Sequence, residues 1–89
     1  MLERELQVCN KLGLHARAAA KLVQLLSGYR CQVTLTGRGR EVNAKSIMGV
    51  LLLAAAPGAV LVLRTDGEDE AEAAEAAAAL FERRFEEDG

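Results

Sequence analysis

The chain has 89 residues, of which 51% are hydrophobic and 3% are aromatic, so alanine and aliphatic side chains must form its core. This length predicts one small domain over residues 1–89, without the room to enclose a large catalytic cavity. The net charge of −2 provides no overall attraction to nucleic acid or to anionic membranes, so we expect no nucleic-acid partner.

The sequence shows no signal peptide, membrane span or metal-ligand pattern. Residues 1–5 lack the basic start and apolar run of a signal peptide, and the longest apolar run, residues 47–57, is too short to span a bilayer. Cys9 and Cys31 are far apart and accompany a single histidine, which does not fit zinc coordination. A disulfide between them stays open, but we favour two buried thiols. We therefore expect a cytoplasmic protein with no metal and no cofactor.

The first predicted elements are a strand and a helix. Residues 2–9 alternate polar and apolar side chains, which predicts a half-buried strand. A loop follows over residues 10–14. Apolar residues then recur at helical spacing over Ala16–Ser27, and Gly28 is predicted to be a left-handed cap of that helix.

A hairpin and a second helix are predicted next. Residues 30–36 alternate as a strand, and the turn Gly37-Arg38-Gly39 leads to a shorter strand over residues 40–42. Residues 47–55 are predicted to form a helix. Ser46 precedes them and is a favoured N-cap, because its oxygen can accept from exposed N–H groups of the first turn.

The last elements are a strand and an alanine-rich helix. After a Pro-Gly turn, residues 59–65 form an apolar run of strand length. Residues 69–85 predict a helix with acids in its first turn, and its core face comprises Ala73, Ala77, Leu80, Phe81 and Arg84. The element order predicts a two-layer α+β domain with the helices on one face of a sheet.

Two segments carry the candidate chemistry. Residues 13–17 (Gly-Leu-His-Ala-Arg) begin the first helix, and residues 45–50 (Lys-Ser-Ile-Met-Gly-Val) begin the second. A helix N-terminus presents unpaired N–H groups and a partial positive charge, so it favours a neutral, nucleophilic imidazole at His15 and can bind phosphate. The Arg17 guanidinium can add a bidentate contact to phosphate oxygens. The alternative is a surface histidine without special chemistry, which we would prefer if the flanking motif were absent.

With both segments at this spacing, the chain resembles the HPr family, the histidine-containing phosphocarriers of the bacterial phosphotransferase system. The resemblance covers almost the whole chain. It implies an open-faced β-sandwich of order βαββαβα, in which three helices cover one face of a four-stranded antiparallel sheet. It also implies a carrier rather than an enzyme. Enzyme I would phosphorylate His15 on Nδ1, and an enzyme II A protein would receive the phosphoryl group.

Further site residues are expected around these two segments. The backbone N–H groups of Ala16 and Arg17 are expected to stabilise the added phosphate. The resemblance implies regulatory phosphorylation of Ser46 by an HPr kinase/phosphorylase, although capping alone also explains a serine there. It places the partner-docking side chains on the second helix, at Ile47, Met48 and Leu51, whereas we assign Val50 and Leu53 to the core.

One departure and several alternatives remain. Ala18 stands where the family usually has proline, which predicts a first turn that frays more readily while the chemistry stays possible. The alternative functions are a regulatory module acting through phospho-Ser46, the nitrogen-branch paralogue of the carrier, and a structural ferredoxin-like module. The last gives no account of His15, Arg17 and Ser46 together, so we rank it last. We expect a monomer.

Overall fold

The structure is a computed structural model that describes residues 1–86, and it confirms the predicted two-layer α+β architecture. Residues 87–89, the end of the predicted domain, lie outside the described part. The elements in chain order are β1 (Leu2–Gln7), α1 (Ala16–Ser27), β2 (Gln32–Gly37), β3 (Arg40–Asn43), α2 (Ile47–Leu52), β4 (Val60–Asp66), α3 (Glu70–Glu82) and a final 3₁₀ turn (Arg84–Glu86). Within residues 1–86, no helix combines the length and apolarity that a membrane crossing requires.

The four strands form one antiparallel sheet in the order β1-β4-β2-β3. Alternate strand residues face the helices, so the sheet and the helices share one core. Its largest fully buried apolar side chains are Phe81, Phe85, Leu22, Leu26, Leu35, Leu61 and Leu63. Burying each of these side chains stabilises the fold by about 1.5–3 kcal/mol. Packing rather than helix propensity therefore accounts for most of the stability of α1 and α3.

The helix α1 has its predicted bounds, but its C-cap differs from the prediction. Gly28 has φ −78° and ψ −5°, so the predicted left-handed cap is wrong. The helix ends instead in a tightened turn, in which Gly28 N donates to the Leu25 carbonyl at 3.3 Å and Tyr29 N to the Leu26 carbonyl at 3.0 Å. These bonds occupy the last carbonyls without a left-handed residue.

The strand ends differ from the predictions by one or two residues. β1 ends at Gln7 rather than at residue 9. β2 begins at Gln32 rather than at residue 30, because the N–H groups of Arg30 and Cys31 donate to the Asp69 carboxylate, each at 2.9 Å, instead of to a neighbouring strand. β3 ends one residue later than predicted, and β4 both begins and ends one residue later than predicted.

The helix α2 is shorter than predicted. It ends at Leu52, and the prediction that it extends to residue 55 is wrong. Ala54 has φ +47°, a left-handed conformation that a right-handed helix does not contain. The chain therefore leaves the helix here, although its composition stays apolar.

The helix α3 also ends early, at Glu82 instead of residue 85. The next residues Arg84, Phe85 and Glu86 have φ of 56°, 55° and 61°, so the chain turns back on itself. This turn buries Phe85 completely and brings its ring centroid to 4.8 Å from that of Phe81. Arg84, predicted on the core face, is exposed.

The two cysteines lie in different environments, and both are free thiols. Cys31 is buried, as predicted, whereas Cys9 is exposed. The prediction for Cys9 is wrong because β1 has ended before it, and its thiol donates to the Gln7 carbonyl at 3.4 Å. Burial raises the pKa of the Cys31 thiol, and a hydrogen bond to Asp69 raises it further.

Candidate functional site

His15 is the N-cap of α1. Its backbone is extended (φ −80°, ψ −179°), and its Nδ1 accepts a hydrogen bond from Arg17 N at 3.2 Å. Its carbonyl accepts the first helical bond, from Ala19 N at 2.9 Å. In the neutral imidazole, an Nδ1 that accepts leaves the proton on Nε2. The Nδ1 lone pair therefore points at the positive end of the helix, in a side chain that is half-buried.

The loop before His15 is held by a hydrogen bond to a neighbouring segment and by hydrogen bonding within the loop. Leu14 N donates to the Ala55 carbonyl at 2.9 Å, which connects the loop to the segment that follows α2. Asn10 is fully buried, and its Nδ2 donates to the Gly13 carbonyl at 2.7 Å. Asn10 was missed by the sequence analysis, although asparagine in a glycine-containing loop is a known signal for a side chain that holds backbone groups.

The first turn of α1 suits an anion. It contains no acidic residue, and the N–H groups of Ala16 and Arg17 belong to the helix end that lacks intrahelical acceptors. Within residues 1–86, the exposed Arg17 guanidinium makes no ion pair. One turn further along, Lys21 is engaged, because its Nζ donates to the Phe85 carbonyl at 2.7 Å. Arg17 is therefore the basic residue closest in sequence to His15, and its guanidinium is available to a ligand.

Ser46 is the N-cap of α2, as predicted. Its Oγ accepts from Gly49 N at 3.1 Å, and its own N–H donates to the Asn43 carbonyl at 3.1 Å. The residue is half-buried, so part of it remains open to solvent. The helices α1 and α2 pack against each other, which places the two segments singled out by the sequence on neighbouring elements.

Apolar side chains are exposed on α2 and in the loop that precedes α1. Val50 and Leu53 are buried, as predicted, and Leu51 is half-buried. The exposed fractions are 43% for Ile47, 70% for Met48, 57% for Leu52 and 70% for Leu12. Leu52 and Leu12 were missed, because an all-apolar helix does not reveal which face is covered and a loop leucine has no periodicity. The three exposed apolar side chains on α2 (Ile47, Met48 and Leu52) are typical of an interaction surface.

Comparisons with known proteins give one consistent result. A family profile described as "PTS HPr component phosphorylation site" matches residues 2–83. Phosphocarrier protein HPr of Xylella fastidiosa (strain Temecula1) is 64% identical over 88 residues, 99% of each chain. Phosphocarrier protein NPr of Shewanella violacea is 40% identical over 86 residues, 97% of this chain and 94% of that one. A crystal structure of HPr from Thermoanaerobacter tengcongensis is similar with a TM-score of 0.96, 42% identity and full coverage of both chains.

Proposed function

Because this chain belongs to the HPr family of phosphocarriers, we propose that His15 accepts a phosphoryl group from enzyme I on Nδ1 and passes it to an enzyme II A protein. The observation that carries the proposal is the hydrogen bond from Arg17 N to Nδ1, at 3.2 Å. It identifies Nδ1 as the ring nitrogen that carries the lone pair in the neutral imidazole, and it points that lone pair at a helix end that attracts anions.

The transfer step needs no base from this chain. The Nδ1 lone pair attacks phosphorus, the Nδ1–P bond forms, and the bond from phosphorus to the donor's leaving group breaks with its electron pair. Nε2 keeps its proton throughout. Once phosphorylated, Nδ1 can no longer accept from Arg17 N, so that N–H becomes available to a phosphoryl oxygen, together with the N–H of Ala16.

Arg17 is proposed to stabilise the charge of the phosphoryl group. Its exposed guanidinium can donate two parallel hydrogen bonds to phosphoryl oxygens. The same exposure keeps the interaction modest, since water competes for both groups. A modest contact suits a carrier, which must release the group to the next partner.

The exposed residues of α2 are proposed to dock the partners. Ile47 and Met48 follow Ser46 directly, and Leu51 lies one turn further along the same helix. Covering such side chains with a partner surface removes apolar area from water, which favours association. The predicted cytoplasmic location and monomeric state stay predictions.

The test is phosphorylation with radiolabelled phosphoenolpyruvate and enzyme I. The wild-type protein is expected to gain an acid-labile, base-stable label, and His15→Ala is expected to gain none. Arg17→Ala is the matched neighbour: it should still be labelled on His15, at a lower rate. Equal labelling of His15→Ala would rule out the proposal, and phosphorus NMR of the product would distinguish Nδ1 from Nε2.

We propose the sugar-uptake branch rather than the nitrogen branch. The support is the higher identity to an HPr than to an NPr, 64% against 40% over nearly the whole chain. Phosphorylated protein should transfer its label to a sugar-specific enzyme II A faster than to a nitrogen-branch enzyme II A. The reverse order of rates would assign the chain to the nitrogen branch.

A second candidate role is regulation through Ser46. The observation that favours it is the position of a half-exposed hydroxyl directly before the exposed Ile47 and Met48. A phosphate there would put up to two negative charges beside the proposed docking side chains and would change which partners bind. Incubation with ATP and an HPr kinase/phosphorylase tests this role. Absence of label on Ser46, with Ser46→Ala as the control, would remove it.

A further inference from the structure

We propose that the groove between the β2–β3 turn and the end of α2 receives an acidic segment of the protein that donates the phosphoryl group to His15. The inference rests on the proposed function, and it adds a contact outside the docking residues named above. The groove encloses about 310 Å³ and is lined by Gly37, Arg38, Arg40, Leu52, Leu53 and Ala54.

The charge of the groove is unbalanced. Arg38 and Arg40 are both exposed, and neither makes an ion pair or a side-chain hydrogen bond within residues 1–86. Glu41 lies next to Arg40 in sequence, but its carboxylate is 3.7 Å from Arg64 and so is already engaged. The chain carries more acids than bases, yet two neighbouring guanidinium groups are left without an acid. Carboxylates from outside the chain would complement them.

The backbone of the β2–β3 turn is a second reason to infer that Arg38 binds a group outside this chain. Arg38 and Gly39 have φ of 55° and 77°, and Gly37 pairs with Arg40, so they form a two-residue hairpin with both central residues left-handed. Such turns favour asparagine and glycine over a long side chain at the first central position. Stability of the hairpin therefore does not explain an arginine at residue 38. A ligand for its guanidinium does.

The groove also has an apolar wall, and it lies close to the His15 loop along the chain. Leu52 is 57% exposed and flanks the two arginines. Ala54 also lines the groove, and it precedes Ala55, whose carbonyl accepts a hydrogen bond from Leu14 N directly before His15. A protein bound at His15 and along α2 therefore reaches the groove without a separate site. The occupant that fits is a segment with carboxylates for the arginines and an apolar side chain for Leu52.

The experiment measures the initial rate of phosphorylation by enzyme I and phosphoenolpyruvate against the concentration of this protein. The groove variant is Arg38→Asn with Arg40→Gln, and Asn suits the left-handed position, so folding is retained. The matched control, Arg30→Gln with Arg83→Gln, also removes two positive charges, but from exposed positions outside the groove. Thermal melts of both variants verify that they are folded.

In the groove variant, KM is expected to be about three- to tenfold higher than in the wild-type protein at low salt, with kcat unchanged. The reason is that two solvent-exposed ion pairs at the interface are lost. The increase should largely vanish near 1 M salt, where charges are screened within a few ångströms. Leu52→Ser should raise KM at low and high salt alike. Equal KM values for the groove variant and the control would overturn the groove proposal alone. Failure to label the wild-type protein would overturn the proposed function and this proposal with it.

Discussion

The backbone of Gly13 packs against the carbonyl of Ala55 so closely that a β-carbon on Gly13 would lie 2.6 Å from the Ala55 oxygen. The same oxygen accepts the hydrogen bond from Leu14 N, so it cannot withdraw without breaking that bond. The contact joins the loop that positions His15 to the segment that follows α2. The loop before His15, the proposed phosphoryl acceptor, is therefore joined by a packed backbone contact to the segment that follows the proposed docking helix.

Gly13→Ala is expected to lower the free energy of unfolding by roughly 2–4 kcal/mol. Part of the loss comes from φ +74°, which costs a side-chain-bearing residue about 1–2 kcal/mol, and the rest from the clash with Ala55. Gly39→Ala is the control, since Gly39 has φ +77° with nothing within 4 Å of the added carbon. Urea unfolding compares the two variants. Equal losses would show that the Ala55 contact contributes nothing.

Ala54→Gly is expected to raise the free energy of unfolding by about 1 kcal/mol. Ala54 has φ +47°, where the β-carbon is strained and glycine is not. Ala56→Gly is the control, because Ala56 is exposed and is not among the residues with positive φ, so glycine there can only add disorder to the unfolded chain. Thermal unfolding measures both. A gain in Ala56→Gly as large as that in Ala54→Gly would contradict the strain at residue 54.

Asp69→Asn is expected to make the free energy of unfolding decrease less as the pH is lowered. The hydrogen bond from Arg30 N lowers the pKa of the Asp69 carboxyl, and the Cys31 N–H lowers it further. A pKa that is lower in the folded state than in the unfolded state stabilises the fold above the unfolded pKa, and the effect is lost as pH falls through the folded pKa. The variant should be less stable than wild type at pH 7 and should change less with acidification.

Urea midpoints between about pH 7 and pH 2 measure that difference, since carboxylates titrate in this window. Glu68→Gln provides the comparison, because Glu68 is exposed and its one ion pair within residues 1–86 is with the exposed Arg30, at 3.8 Å. Removing an exposed ion pair changes the free energy of unfolding little, so the variant should stay close to wild type in stability. If Asp69→Asn keeps the wild-type pH dependence, the two backbone bonds to Asp69 do not couple to its protonation.

Ala18→Pro is expected to raise the free energy of unfolding by about 0.4–1 kcal/mol. The first helical bond of α1 runs from Ala19 N to the His15 carbonyl, so the N–H of Ala18 has no intrahelical acceptor to lose. Ala18 is fully buried, so the ring must also fit among its neighbours. Ala20→Pro, beyond the first turn, should instead cost about 3 kcal/mol or more. A loss of stability in Ala18→Pro would show that the core has closed around the alanine methyl group.

The sequence correctly predicted the bounds of elements for which two patterns agree, such as apolar periodicity and a residue typical of a helix end. The bounds of α1 were confirmed because apolar periodicity begins after a capping residue and ends before Gly28. Ser46 was predicted to cap α2 because it precedes a helical pattern, and His15 was predicted to lie at the start of α1 on the same ground, although its role as the N-cap was not predicted.

The rest depended on long-range contacts. The end of α2 was missed because the backbone of Ala54 is left-handed, a conformation that an alanine in the sequence does not predict. The late start of β2 was missed because the acceptor for Arg30 and Cys31 is Asp69, which lies almost forty residues further along the chain. The exposure of Leu52 depends on where the neighbouring hairpin ends, which no local pattern encodes.

The strand order has a consequence for how the protein is made. β4 lies between β1 and β2, so β1 (Leu2–Gln7) has no partner strand until Val60–Asp66 has left the ribosome. A nascent chain that ends before β4 can form the local β2–β3 hairpin, but the first strand stays an open edge. Pairing across such a separation is slow compared with local structure. The sheet therefore cannot close before β4 has been made, and translation products that lack β4 are expected to be aggregation-prone rather than partly functional.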